Sequence, residues 1–89
     1  MRSEEVVIMN PTGLHARPAS VFVKEANKFN SEIAIVSAEK RINAKSIIKV
    51  MSAALKKGTQ IVIEASGEDE EEAVQALVNL IKEGFGELE

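Results

Sequence analysis

The sequence predicts an α+β fold in which three helices cover one face of a four-stranded antiparallel sheet, in the order β-α-β-β-α-β-α. Three observations predict it. Short β-branched runs alternate with longer segments whose apolar residues recur at helical spacing. Each helical segment carries one apolar stripe, so each has one face to bury, and all three fit the same side of a sheet. The 89 residues are 45% hydrophobic, with no Trp or Tyr and three Phe, so an aliphatic core serves one small domain, 1–89.

The elements follow in order. Glu5-Val6-Val7-Ile8-Met9 reads as a strand, broken by the turn residues Asn10-Pro11-Thr12-Gly13. A helix begins near His15 or Ala16. Pro18 then falls in its first turn, where a missing N–H breaks no bond, and Ala19, Phe22, Ala26 and Phe29 form its stripe. Ile33–Val36 is the second strand and Arg41–Asn43 a short third, with a tight connection between them. Ser46 is a good N-cap for a helix running to Leu55, with Gly58 as terminator. Ile61–Ala65 is the fourth strand. Asp69 caps the last helix, with Glu72 completing a box-like arrangement. Acidic residues suit its first turn, and Ala73, Leu77, Leu80 and Ile81 share a face beside Val74 and Val78.

Composition narrows the function classes. A net charge of −3 argues against nonspecific nucleic-acid binding. With no Cys, a disulfide scaffold and a thiolate zinc site are excluded, and a lone His without neighbouring carboxylates supplies no metal ligand set. Few aromatics argue against a deep cofactor pocket, and no cofactor is expected. The first apolar run is too brief for a signal peptide or a membrane span, which points to the cytoplasm. Lys40, Arg41, Lys45, Lys49, Lys56 and Lys57 crowd the middle of the chain; a local basic face there would suit an acidic partner or a phosphate, but most of these lysines read better as solvated charge on loops and helix faces.

The chemistry concentrates at Gly13-Leu14-His15-Ala16-Arg17-Pro18. An imidazole with an ordinary pKa of about 6.5 is a neutral nucleophile near physiological pH, and its nitrogen can take up and release a phosphoryl group. His15 precedes a helix, where free N–H groups favour anions; Arg17 offers charge-assisted donors, and Gly13 permits a sharp turn. Taken alone, such a His fits a capping role better than a chemical one.

The wider pattern changes that balance. Asn10-Pro11-Thr12-Gly13-Leu14-His15-Ala16-Arg17-Pro18-Ala19 strongly resembles the active-site segment of HPr, the histidine-containing phosphocarrier family of the bacterial sugar phosphotransferase system. Phe22-Val23-Lys24, Asn43-Ala44-Lys45-Ser46-Ile47, Val50-Met51-Ser52 and Gly67-Glu68-Asp69-Glu70 are similar to HPr segments in the same order, over nearly the whole chain. The resemblance implies an open-faced β-sandwich and a carrier without turnover of its own. It implies a phosphoryl group accepted at Nδ1 of His15 from phospho-enzyme I, assisted by Arg17, and passed to enzyme IIA proteins. It also implies regulatory phosphorylation of Ser46 by an HPr kinase/phosphorylase, with a catabolite-repression regulator as a further partner. Ala16, Ser20, Ile47, Ile48 and Met51 are the implied docking residues. Two departures stand out: Ser46-Ile47-Ile48-Lys49 where serine-regulated members read Ser-Ile-Met-Gly, and Ala54 where Gly is common. Alternatives of another class are a nitrogen-branch carrier and an HPr-like regulator that acts by binding; regulators working only through the serine lack the active His. A monomer suffices for either role.

Overall fold

The computed structural model describes residues 1–86; the last three residues of the expected 1–89 domain lie outside the described residues. Its elements are β1 (Arg2–Val7), α1 (Ala16–Ala26), β2 (Glu32–Ser37), β3 (Lys40–Asn43), α2 (Ile47–Ser52), β4 (Gln60–Ser66) and α3 (Glu70–Lys82), with a 3₁₀ turn at Gly84–Gly86. The predicted element order therefore stands. The sheet runs β1-β4-β2-β3, and every neighbouring pair is antiparallel. β1 and β2 lie parallel to one another with β4 between them, so α1 crosses from one to the other over the sheet.

Register sorts the side chains by face. Val6 pairs with Ile61, and Ile63 with Ile35, which in turn pairs with Ile42. These residues join Phe22, Val50, Leu77, Val78 and Ile81 from the helices in one hydrophobic cluster. Phe22 is fully buried, which is worth about 1.5–3 kcal/mol relative to exposure. The opposite sheet face is open: Glu5, Arg41 and Gln60 are exposed there, and Arg41 bonds Glu64 while Gln60 bonds Glu5 across strands.

β2, β3 and β4 each extend one or two residues beyond the sequence reading, and larger differences occur at β1, α1 and α2. β1 begins at Arg2, not Glu5, because residues 2–7 pair with 60–65 and their polar side chains meet α3: Arg2 bonds Glu71 at 3.0 Å, and the Met1 ammonium bonds Glu70 at 3.1 Å. The Ile8 N–H donates to the Thr59 carbonyl at 2.9 Å, and beyond it Met9 turns out, 47% exposed, into the loop. α1 ends at Ala26, leaving Phe29 half-buried beyond it. α2 stops at Ser52, well before Leu55, because Ala54 adopts a left-handed conformation with φ +51° at the position where glycine usually ends a helix. That reversal turns Leu55 into the core, and Gly58 serves a later turn.

The capping box at α3 does not form. Asp69 makes no side-chain bond to its own helix; its carboxylate accepts from the N–H groups of Asn30 and Ser31, each at 2.9 Å, and from the Ser31 hydroxyl. Ser31 is buried and needs a partner, so the tertiary contact outweighs the local cap. Glu70 takes over locally, accepting the Gly67 N–H at 3.1 Å.

Candidate functional site

The loop between β1 and α1 is held from below. Asn10 is fully buried, and its amide nitrogen donates to the Gly13 carbonyl at 2.9 Å. The Gly13 N–H donates to the Asn10 carbonyl at 3.1 Å, closing a tight turn, and the Leu14 N–H donates to the Leu55 carbonyl at 2.9 Å. Leu14 is fully buried. Gly13 has φ +66° and lies so close to the chain after α2 that a Cβ there would meet the Leu55 carbonyl oxygen at 2.4 Å. The buried Leu14 is thus a peg, and the next three residues emerge from it exposed: His15, Ala16 and Arg17.

His15 is the N-cap residue of α1, with extended backbone and no side-chain capping bond, so its ring is not used to close the helix. The capping role that suits a lone His is therefore not the one it plays. Ala16 follows with φ +49°, a conformation costing an alanine about 1–2 kcal/mol relative to the right-handed one. The N–H groups of Ala16 and Arg17 have no intrahelical partner by position, Pro18 has none to offer, and the helix dipole adds partial positive charge. The Arg17 guanidinium forms no ion pair with a carboxylate among the described residues. An exposed imidazole, a free guanidinium and a helix N-terminus together make a place where an anion on the ring is stabilised.

Ser46 caps α2 as expected: its hydroxyl accepts the Lys49 N–H at 3.3 Å. It is half-buried, in a segment that Asn43 and Asn27 hold by bonds to the Lys45 N–H at 2.9 Å and carbonyl at 3.2 Å. Six-residue α2 turns Val50 inward and cannot bury its other large residues. Ile48 is 74% exposed and Ile47 36%, while Met51 packs half-buried at the core's edge. α1, which carries the exposed Ser20, packs against α2. Two further large apolar residues that the sequence reading did not single out are also exposed. Val21 is 37% exposed one position off the α1 stripe, and Met9 stands in the loop before His15.

No group of three or more His, Asp or Glu suited to a metal ion occurs among the described residues, and no helix among them is long and apolar enough to cross a membrane. A shallow groove lined by Glu32, Ala34, Arg41, Asn43 and Lys45 does not include His15.

Residues 2–83 match the family model described as "PTS HPr component phosphorylation site". The chain belongs to the HPr family of phosphocarrier proteins. HPr of Mycoplasma capricolum is 51% identical over 77 residues, covering 86% of each chain. The crystal structure of HPr-C-His from Thermoanaerobacter tengcongensis superposes with a TM-score of 0.97 at 47% identity, covering 100% of both chains. The likeness extends to Crh, the catabolite repression protein of Bacillus subtilis, at 43% identity with a TM-score of 0.75, covering 94% of this chain and 97% of that one. That Crh structure is described as a dimer with a swapped domain. HPr proteins carry phosphoryl groups and are not themselves catalysts, and the four-stranded sheet with three helices is the open-faced sandwich of this family.

Proposed function

We propose that His15 accepts a phosphoryl group at Nδ1 from phospho-enzyme I and donates it to enzyme IIA proteins in sugar uptake. One observation carries the reading: an exposed imidazole that makes no side-chain capping bond, set at a helix N-terminus beside an Arg17 that forms no ion pair with a carboxylate among the described residues. The Nδ1 lone pair attacks phosphorus, the nitrogen–phosphorus bond forms as the bond to the donor breaks, and that electron pair leaves with the donor. The ring proton stays on Nε2. Delivery to the acceptor is the same step reversed, so the chain ends as it began, a carrier without turnover of its own. Arg17 and the helix N-terminus neutralise charge on the phosphoryl oxygens.

Ala16, Ser20, Ile47, Ile48 and Met51 form the docking surface for partners, and the exposure of Ile48 supports this. Successive weak interfaces suit a carrier that must bind and release several proteins. Ser46 is the regulatory site for an HPr kinase/phosphorylase. A phosphate there adds about −1.5 to −2 charge at the start of α2, which repels an acidic enzyme I face and attracts a basic regulator of catabolite repression. The whole chain, 1–89, acts as one cytoplasmic domain without a cofactor. One chain holds all the groups that transfer requires, so a monomer suffices.

The likeness to Crh favours a second reading, a regulator that works by binding, and a nitrogen-branch carrier is a variant of the first. Incubation with phosphoenolpyruvate and each enzyme I type separates them. The carrier reading expects an acid-labile, base-stable phosphoryl group that His15→Ala abolishes. Uptake that persists in His15→Ala, or no uptake by the wild type, refutes it.

A further inference from the structure

The chain that follows α2 lies directly against the loop that carries His15. A Cβ on Gly13 would sit 3.0 Å from the Lys56 Cα and 3.3 Å from the Leu55 carbonyl carbon, so Gly13 and Lys56 touch backbone to backbone. The bond from the Leu14 N–H to the Leu55 carbonyl, 2.9 Å, pins the same contact. His15 is two residues beyond Gly13, at most ~7 Å along extended chain. Lys56 itself is fixed from behind: its carbonyl accepts the Thr59 N–H at 3.1 Å, closing a turn with Lys57 and Gly58 at its tip. Its side chain is exposed and forms no ion pair with a carboxylate among the described residues. The result is an uncommitted ammonium on a flexible four-carbon stem, rooted beside the loop that presents His15.

We propose that Lys56 supplies a second cation, beside Arg17, to the phosphoryl group carried on His15. This rests on the carrier reading and goes beyond it: the phosphorylated form is stabilised from two elements, the start of α1 and the turn after α2. Ala54 makes the arrangement possible, because its left-handed turn is what brings the chain back against Gly13. The three atoms nearest a Cβ on Gly13 belong to Leu55 and Lys56, and none of them to Lys57 at the tip of the turn.

The test is the equilibrium constant for phosphoryl exchange between phospho-enzyme I and this protein, at low ionic strength. Docking contacts cancel from an equilibrium between free species, so a residue that only helps partners bind changes the rate and not the constant. Lys56→Gln is expected to shift the constant roughly two- to fivefold toward phospho-enzyme I, the effect of one exposed unit charge near a dianion after screening. Added salt shrinks the shift; Lys56→Arg retains the wild-type value, and Lys57→Gln moves it less than Lys56→Gln does. Thermal melts check that the variants fold alike. An unchanged constant in Lys56→Gln, or an equal shift in Lys57→Gln, overturns the inference. If the wild type takes up no phosphoryl group, the carrier reading falls first and takes this one with it; uptake with an unchanged constant removes this inference alone.

Discussion

Replacing Gly13 with Ala tests the scaffold beneath His15. Two costs add. A left-handed alanine costs about 1–2 kcal/mol, because Gly13 has φ +66°. The new methyl also meets the Leu55 carbonyl oxygen at 2.4 Å, and backbone on both sides must shift. Overpacking of this kind costs about 1–3 kcal/mol. The sum is about 2–5 kcal/mol, a large fraction of the roughly 5–10 kcal/mol that holds a domain of this size together. Gly58→Ala is the control. Gly58 has φ +91° and nothing within 4 Å of a built Cβ, so only the backbone cost of about 1–2 kcal/mol applies. At about 4–8 °C per kcal/mol, thermal melts should show Gly13→Ala falling by ~8–40 °C and Gly58→Ala by ~4–16 °C, with the larger loss in Gly13→Ala. Faster exchange of the Leu14 amide is expected in Gly13→Ala, because its bond to Leu55 is the one displaced. Equal losses in the two variants would refute the close approach, and with it the account of how His15 and Lys56 are held.

Other consequences follow from the same structure. Ala54→Gly relieves a left-handed alanine and is expected to gain about 1 kcal/mol in urea unfolding, whereas Ala53→Gly, at φ −71°, gains nothing. The Asp69 carboxyl is held below its ordinary value of 3.8, first by the Ser31 hydroxyl and then by the Asn30 N–H. A lowered carboxylate pKa adds stability that is full above the unfolded value and is lost as pH falls through the folded one, so melts recorded below about pH 4 should show a loss that Ser31→Ala reduces. Ser46→Ala removes the α2 cap and should cost about 1 kcal/mol, while Ser46→Asp keeps the helix and slows phosphoryl transfer from enzyme I, read as the rate of label uptake.

Much of this was legible in the residues. The strand runs and apolar stripes give the element order, and Ser46 and Pro18 mark the helix starts they occupy. What stayed hidden depends on contacts distant in sequence. Asp69 reads as a local cap until buried Ser31 claims its carboxylate. Ala54 is a poor left-handed residue by itself, and only the burial of Leu55 and the bond from the Leu14 N–H to its carbonyl explain why it turns there. Lys56 lies among lysines that all read as solvated, and nothing local distinguishes it from Lys57. The site at His15 was visible because its parts are consecutive; the support beneath it was not, because Leu55 and Lys56 come some forty residues later.

The most direct measurement of the central claim is the position of the phosphoryl group itself. After incubation with enzyme I and phosphoenolpyruvate, nitrogen-15 and phosphorus-31 NMR of the isolated protein should place one phosphorus on Nδ1 of His15, with Nε2 still carrying its proton. Phosphorus on another residue, or an unmodified His15 under conditions that phosphorylate a known HPr, would contradict it.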